Sequence, residues 1–417
     1  MKKITRIIVV SIILTLICIL YNYKVNFRTE KSQALRETFT NVKIIDDRGN
    51  MQKLYSRPDA EEFVLVDMII GDRYYADVGI RTKGSSIYSW LDHYKSQKFS
   101  YKVKLDYINR NQEYNGLKEL HLNSQPVDTS EIREYIVYEL SYEMGIDNQQ
   151  YGLGSLEIND KKIGLITIVE VITEDYVEAK YNSKNGNLYK AEVNFSLKKF
   201  GPDLNYNGDD IQNYSAIFEN VKTSNTTEED NKRLVSIIRK LNEAKSTQEI
   251  EECFIDFDKI IKYVAIAKAT SNVDSFIGKN IRNSYLYEEN GKIDIIPFDY
   301  NLSLGTIYNM WSKEEMHSIE LIEVDEKIHS KIVDIILQND EYHEKYKEYL
   351  RQVLNKLEML YEQGIVDNLY VKVSETVKNS EERTHTYDEF LKEKQALEKF
   401  IESRIEKLKD GYLNLVY

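Results

Sequence analysis

The sequence predicts an α+β chain with two lobes, β-rich first and helical second, behind an N-terminal membrane helix. Three observations predict it. Period-two alternation broken by hairpin turns dominates residues 43–193. Helical periodicity dominates residues 194–417. Residues 7–21 form an almost unbroken apolar run.

The elements follow in chain order. Lys2, Lys3 and Arg6 precede the apolar run, and no small residues follow it to mark a cleavage site. Residues 1–25 are therefore expected to be an uncleaved signal-anchor, with a polar tether over 26–42 and the body outside the cytoplasm. Phe63–Ile70, the turn Gly71-Asp72 and Tyr74–Thr82 predict a hairpin. Phe99, Tyr101, Val103 and Leu105 alternate with Ser100, Lys102 and Lys104, as a half-buried strand requires. Thr129 or Ser130 is expected to cap a helix that runs through Met144 and stops at Gly145. A second hairpin is predicted around Asn159-Asp160.

The stretch 194–226 is polar and irregular, and its Asp and Asn residues do not follow calcium-loop spacing. Helices are predicted over Glu228–Ala244, Thr247–Cys253, Phe257–Ala269, Lys327–Gln338, Tyr342–Tyr361, Ile365–Asn379 and Tyr387–Lys409. The last carries Leu391, Leu397, Phe400, Ile401, Ile405 and Leu408 on one stripe.

Composition excludes several functions. A net charge of −13 argues against nucleic-acid binding, which wants a basic face. Of two cysteines, only Cys253 lies in the globular part, so no disulfide is available there. The six histidines lack zinc-ligand spacing.

The segment Asn272–Gly305 carries the chemistry. Asp274 follows a helical run, Asn283 opens a strand, Glu289-Asn290-Gly291 turns the chain, and Asp299 follows the second strand just past Pro297. Helix end, Asp, Asn, two strands, Asp is the order in which a protein-kinase site presents its catalytic Asp, metal-binding Asn and metal-binding Asp. A hairpin keeps its two ends close, so both carboxylates can serve one site.

The same residues resemble the spore coat protein H (CotH) kinase-like family. Asn272-Val-Asp274-Ser275, Asn283-Ser-Tyr285-Leu-Tyr287 and Pro297-Phe-Asp299-Tyr-Asn301-Leu-Ser-Leu-Gly305 match its three site motifs. Upstream, Arg81-Thr-Lys83-Gly84-Ser85-Ser86, Lys98–Asp106, Gly116–Asn123, Val169-Glu170 and Gly186–Lys190 match in order.

The resemblance implies a protein-kinase-like two-lobe fold and an atypical protein kinase binding Mg²⁺ and ATP. Its protein substrate would be a Ser/Thr-bearing spore-coat or envelope protein. Asp274 would be catalytic, and Asp299 and Asn283 would hold metal, with Asn280 the alternative amide. Asn301 stands where family members carry Asp. Arg81, Lys83, Gly84, Ser85, Lys102, Lys104 and Glu170 would contact ATP or its phosphates. Lys102 and Lys104 share a strand face, and Glu139 is a candidate ion-pair partner for one of them.

Two rival functions fit the chain less well. A non-catalytic coat scaffold has no physical need for Asp274, Asn283 and Asp299. A carbohydrate-active enzyme using the two aspartates leaves the lysines and arginines unexplained.

Overall fold

Seven strands close into a barrel in the first of two compact units. The computed structural model describes residues 34–84, 87–191, 202–278, 281–306, 316, 319, 321 and 330–413. The barrel unit comprises the chain up to Tyr88, Phe99–Asn123 and Gln150–Glu170. The second unit comprises Ser89–Lys98, Ser124–Gln149 and the chain from Val171 on.

The barrel strands are β1 (Phe39–Ile45), β2 (Val64–Ile70), β3 (Arg73–Lys83), β4 (Ser100–Lys104), β5 (Glu119–Asn123), β6 (Tyr151–Ile158) and β7 (Lys161–Glu170), in the order β1-β2-β3-β4-β5-β7-β6. Their alternating residues fill the interior: Val42, Ile44, Met68, Ile80, Tyr101, Val103, Leu120, Leu122, Leu153 and Ile168 are all buried. A short helix α1 (Asn50–Ser56) lies between β1 and β2, and α2 (Tyr88–Tyr94) follows β3. Asn159 and Asp160 both take positive φ, as the predicted two-residue hairpin turn between β6 and β7 demands.

The expected fold class, a kinase-like two-lobe fold with a membrane helix, is overturned here. The β-rich part is not a kinase-like lobe but a closed barrel of seven strands. The strand that closes it is β1, which pairs antiparallel with β2 and parallel with β6. Its first residues, Phe39 to Asn41, lie in the stretch read as tether. The seam is tight: a Cβ on Gly154 would stand 2.1 Å from the Thr40 carbonyl oxygen, so the backbones meet where glycine leaves room.

The expected membrane-anchored localisation is corrected as well. Among the described residues no helix is long and apolar enough to cross a membrane. The anchor expected over residues 7–21 lies outside the described residues.

In the second unit the helices run α3 (Arg133–Glu143), α4 (Glu174–Tyr181), α5 (Ser215–Phe218), α6 (Glu228–Glu243), α7 (Thr247–Glu251), α8 (Phe257–Ala269), α9 (Lys331–Gln338), α10 (Asp340–Glu362), α11 (Ile365–Lys378) and α12 (Tyr387–Leu413). A three-stranded antiparallel sheet, β10-β9-β8, is built from β8 (Asn187–Ala191), β9 (Ser284–Glu289) and β10 (Lys292–Pro297). Thr227 and Asp230 form a capping box that starts α6. Helix α10 packs on α8, α9 and α12 through Tyr342, Tyr346, Leu350, Val353, Leu354, Leu357 and Leu360. Each such side chain contributes about 1.5–3 kcal/mol on full burial, so this one helix outweighs any single polar contact nearby.

Helix α3 starts later than its sequence suggests. Neither Thr129 nor Ser130 caps it; the Asp128 carboxylate does, accepting from Arg133 N at 3.0 Å and from Ser130 N at 2.9 Å. Gly145 takes positive φ and ends it as expected.

Candidate functional site

Asp274 is delivered by the end of α8. Ser271 takes φ 54°, Asn272 N donates to Ala267 O at 2.8 Å, and Ser271 N donates to Lys268 O at 3.2 Å. This is a Schellman ending with serine at the left-handed position where glycine is usual. It turns the chain sharply, so that Asp274 projects from a fixed helix end. Arg404 on α12 holds that end from outside, donating Nε to Ala269 O at 2.9 Å and Nη2 to Lys268 O at 2.8 Å. Its guanidinium is wholly buried and satisfies carbonyls that helix geometry leaves unpaired.

Asn283 and Asp299 stand at the open end of the β9–β10 hairpin. Asn290 and Gly291 form its turn, both at positive φ, and Ser284 pairs with Pro297. One step further out, Phe298 N donates to Asn283 O at 3.0 Å. Asn283 (φ 55°) and Asp299 (φ 61°) both adopt left-handed backbone, which Asn and Asp tolerate better than other side chains.

The amide of Asn283 closes the distance to Asp274. Its Nδ2 donates to the Asp274 backbone oxygen at 2.6 Å and to Asp274 Oδ2 at 3.0 Å. Two acceptors on one side fix which end of the amide is nitrogen and which is oxygen. Arg282 Nε stands 3.4 Å from Asp274 Oδ1. The predicted grouping of Asp274 with Asn283, and of Asn283 with the Asp299 end of β10, is thus present. The alternative amide, Asn280, lies outside the described residues.

The Asp299 loop is held at both ends by α3. At its start, Gln149 Nε2 donates to Pro297 O at 3.1 Å, and Tyr138 Oη donates to Gln149 Oε1 at 3.2 Å. The Tyr300 ring meets the Tyr138 ring edge-on at 4.8 Å. Burial, with Glu134, Tyr300 and Asp299 close by, pushes the Tyr138 phenol well above its ordinary range, so it stays a neutral donor. At the loop's other end, Arg133 Nε donates to Leu304 O at 3.0 Å while Leu304 N donates to Thr270 O at 2.7 Å. The second contact ties the Asp299 loop directly to the helix end that presents Asp274.

Gly305 then takes φ +81°, and a Cβ there would stand 2.6 Å from Phe400 of α12. Gly305→Ala is expected to cost about 2 kcal/mol or more through the combined strain and overlap. A thermal melt unchanged from the parent would refute it.

A buried cluster steadies the approach to α3. Lys98 Nζ donates to Glu131 Oε1 at 2.5 Å, and His385 Nε2 lies 3.0 Å from the same oxygen. Burial works to raise the Glu131 pKa, but Lys98 and His385 outweigh it and hold the carboxyl below its usual range.

The remaining sequence-derived candidates lie in the barrel unit, except Glu139. Lys102 and Lys104 both pair with Glu119 of β5 at 2.8 Å. Burial would raise the Glu119 pKa, yet the two lysines keep it lowered. Arg81 is the register partner of Lys102, lies 3.3 Å from Glu61, and sits over the Phe63 ring. Lys83 Nζ donates to Asn123 Oδ1 at 2.7 Å. Gly84 takes φ +84°, and Ser85 lies outside the described residues. Glu170 Oε2 accepts from Gln150 N at 3.0 Å. Glu139 is half-buried on α3 of the second unit, where it acts electrostatically on Lys372.

Sequence reasoning missed Arg133, Gln149, Arg282 and Arg404. One of them left a signal: Arg404 falls on the apolar stripe of α12 between Ile401 and Leu408, and a charge on a core face requires a buried partner.

The donor set suits a hard cation. Two carboxylates and an amide oxygen are all oxygen ligands, and Mg²⁺ binds through one or two carboxylates with water and phosphate completing its octahedron. Among the described residues no group of three or more His, Cys, Asp or Glu side chains is placed to hold a metal ion.

A family model described as CotH kinase protein matches residues 80–408. Inner spore coat protein H of Bacillus subtilis (strain 168) is 24% identical over 307 residues, covering 71% of this chain and 79% of that protein.

Proposed function

The chain belongs to the CotH kinase family, and from that premise we propose that it transfers the ATP γ-phosphoryl group to a Ser or Thr hydroxyl of a protein. The observation that carries the reading is the Asn283 amide, whose nitrogen donates to the backbone oxygen and to Oδ2 of Asp274, and we assign its oxygen to a cation. A scaffold has no use for that arrangement. Because the Bacillus subtilis relative is named an inner spore coat protein, we place the acceptor among spore-coat or envelope proteins, with the enzyme spore-associated.

Asp299 and Asn283 Oδ1 are the proposed Mg²⁺ ligands. Bound Mg²⁺ would neutralise phosphate charge and orient the terminal phosphoryl group. Asp274 accepts the proton of the acceptor hydroxyl. The hydroxyl oxygen bonds to the γ-phosphorus as the bond from phosphorus to the ADP oxygen breaks, and ADP leaves with that electron pair.

Calorimetric titration with ATP tests the reading. Binding is expected with Mg²⁺ present and is expected to disappear on chelation. Equal affinity with and without the metal, or no affinity in either case, would overturn it.

A further inference from the structure

We propose that Arg282 is a catalytic arginine that contacts the transferring phosphoryl group, an assignment that rests on the kinase reading of the same site.

Phosphoryl transfer spreads negative charge over three equatorial oxygens, and a guanidinium fork matches that geometry with paired donors. The cations of the second unit differ sharply in whether they are free to do this. Arg133 and Arg404 are fully buried and spent on carboxylates and carbonyls. Arg233 grips Glu288 with two parallel bonds of 2.8 and 2.7 Å. Lys98 is buried against Glu131, and Lys259 against Asp294.

Arg282 is different. It precedes Asn283 directly, its side chain keeps 34% of its surface open, and its ion pair among the described residues is with Asp274. That pair engages Nε, the inner nitrogen. Four of a guanidinium's five donors are not needed to orient an aspartate through Nε, and the outer nitrogens are the part that fits phosphate.

Nor does Asp274 depend on Arg282 for its position. Asn283 Nδ2 already holds both its backbone oxygen and its Oδ2, and the Schellman turn fixes its backbone. A guanidinium beside the proton acceptor and next in sequence to the metal-ligand amide is therefore a charge with no structural debt to that aspartate. Its place suits the charge that develops during transfer. Its openness also matters for testing, because a half-exposed side chain can be changed without leaving a buried void.

The experiment uses the full chain and two variants, Arg282→Gln and Arg282→Lys, with thermal melts to check the fold. Calorimetry measures the affinity for Mg²⁺–ADP alone and for Mg²⁺–ADP with aluminium fluoride, a mimic of the phosphoryl group in transit. The parent is expected to bind the mimic more tightly than Mg²⁺–ADP. Arg282→Gln is expected to keep its Mg²⁺–ADP affinity and lose mimic affinity by on the order of 10³-fold, with kcat falling and KM for ATP unmoved. Arg282→Lys keeps the charge without the fork and is expected to fall between them.

If Arg282→Gln binds the mimic as the parent does, Arg282 is only the ion-pair partner of Asp274 and this assignment is wrong. If the parent itself binds neither form, the kinase reading fails and takes the assignment with it.

Discussion

Asp299→Asn is expected to abolish Mg²⁺-dependent nucleotide binding and turnover while leaving the thermal melt in place. The substitution removes one ligand charge at constant volume. The backbone at this position is left-handed (φ 61°), and Asn tolerates that region as well as Asp does. The residues that anchor the loop, Gln149 to Pro297, Tyr138 to Tyr300 and Arg133 to Leu304, do not involve the Asp299 side chain. What is lost is the carboxylate at the end of β10, opposite Asn283. An amide is a poor replacement here because Mg²⁺ dehydrates reluctantly and is held through at least one carboxylate, and Asp299→Asn would leave only neutral amide oxygens as its proposed protein ligands. Turnover should drop on the order of 10²–10³-fold or more, the scale seen when one preorganised electrostatic contact is removed. The checks are calorimetry with Mg²⁺–ATP and single-turnover transfer. Normal ATP turnover would sink the metal assignment.

How legible the site was follows from how far apart its parts lie in sequence. The hairpin from Ser284 to Pro297 was readable because Asn290-Gly291 announces its turn between two apolar runs. Once the hairpin is drawn, Asn283 and Asp299 must meet, and Asp274 lies only nine residues before Asn283. The helices were readable for the same local reason: caps such as Thr227 and stripes such as Tyr342-Tyr346-Leu350 are written within a few residues.

The barrel was not readable. Its closure joins β1 to β6, strands far apart in sequence and parallel, and no local pattern declares such a pairing. Asn41 on β1 is exposed, and Phe39 starts the strand half-buried, so the leading end reads as polar tether. The clue was Gly152 and Gly154 inside the strand Tyr151–Ile158, a sign of close backbone approach. The arginine contacts were hidden for a related reason. Arg133 reaches Leu304 and Glu393, and Arg404 reaches Lys268, partners that only the folded chain brings near.

Arg133→Met is expected to be among the most destabilising single changes in the second unit. Arg133 and Asp128 are both buried, at 2% and 0% side-chain exposure, and Glu393 is mostly so. One guanidinium serves four acceptors: Asp128 Oδ1, Ser130 Oγ at 2.9 Å, Glu393 Oε1 at 2.5 Å and Leu304 O at 3.0 Å. Burial works against its charge, but Asp128 and Glu393 outweigh it and hold the pKa above the ordinary arginine value. Methionine fills much of the space yet leaves two carboxylates without their cation. Breaking one side of a buried pair costs about 3–5 kcal/mol, mostly for the stranded charge. In a unit of this size that lowers the melting temperature by roughly 10 °C.

A charge origin and a packing origin of the loss separate in a second variant. Arg133→Met combined with Glu393→Gln removes one stranded charge and should recover part of the loss. Under a packing origin it should recover none. Arg133→Lys should fall between parent and Met, because a single ammonium cannot span acceptors on three elements. Differential scanning calorimetry of the four proteins decides it. A melt for Arg133→Met within a degree or two of the parent would mean that Asp128 and Glu393 do not depend on this arginine, and that Leu304 is held by Thr270 alone.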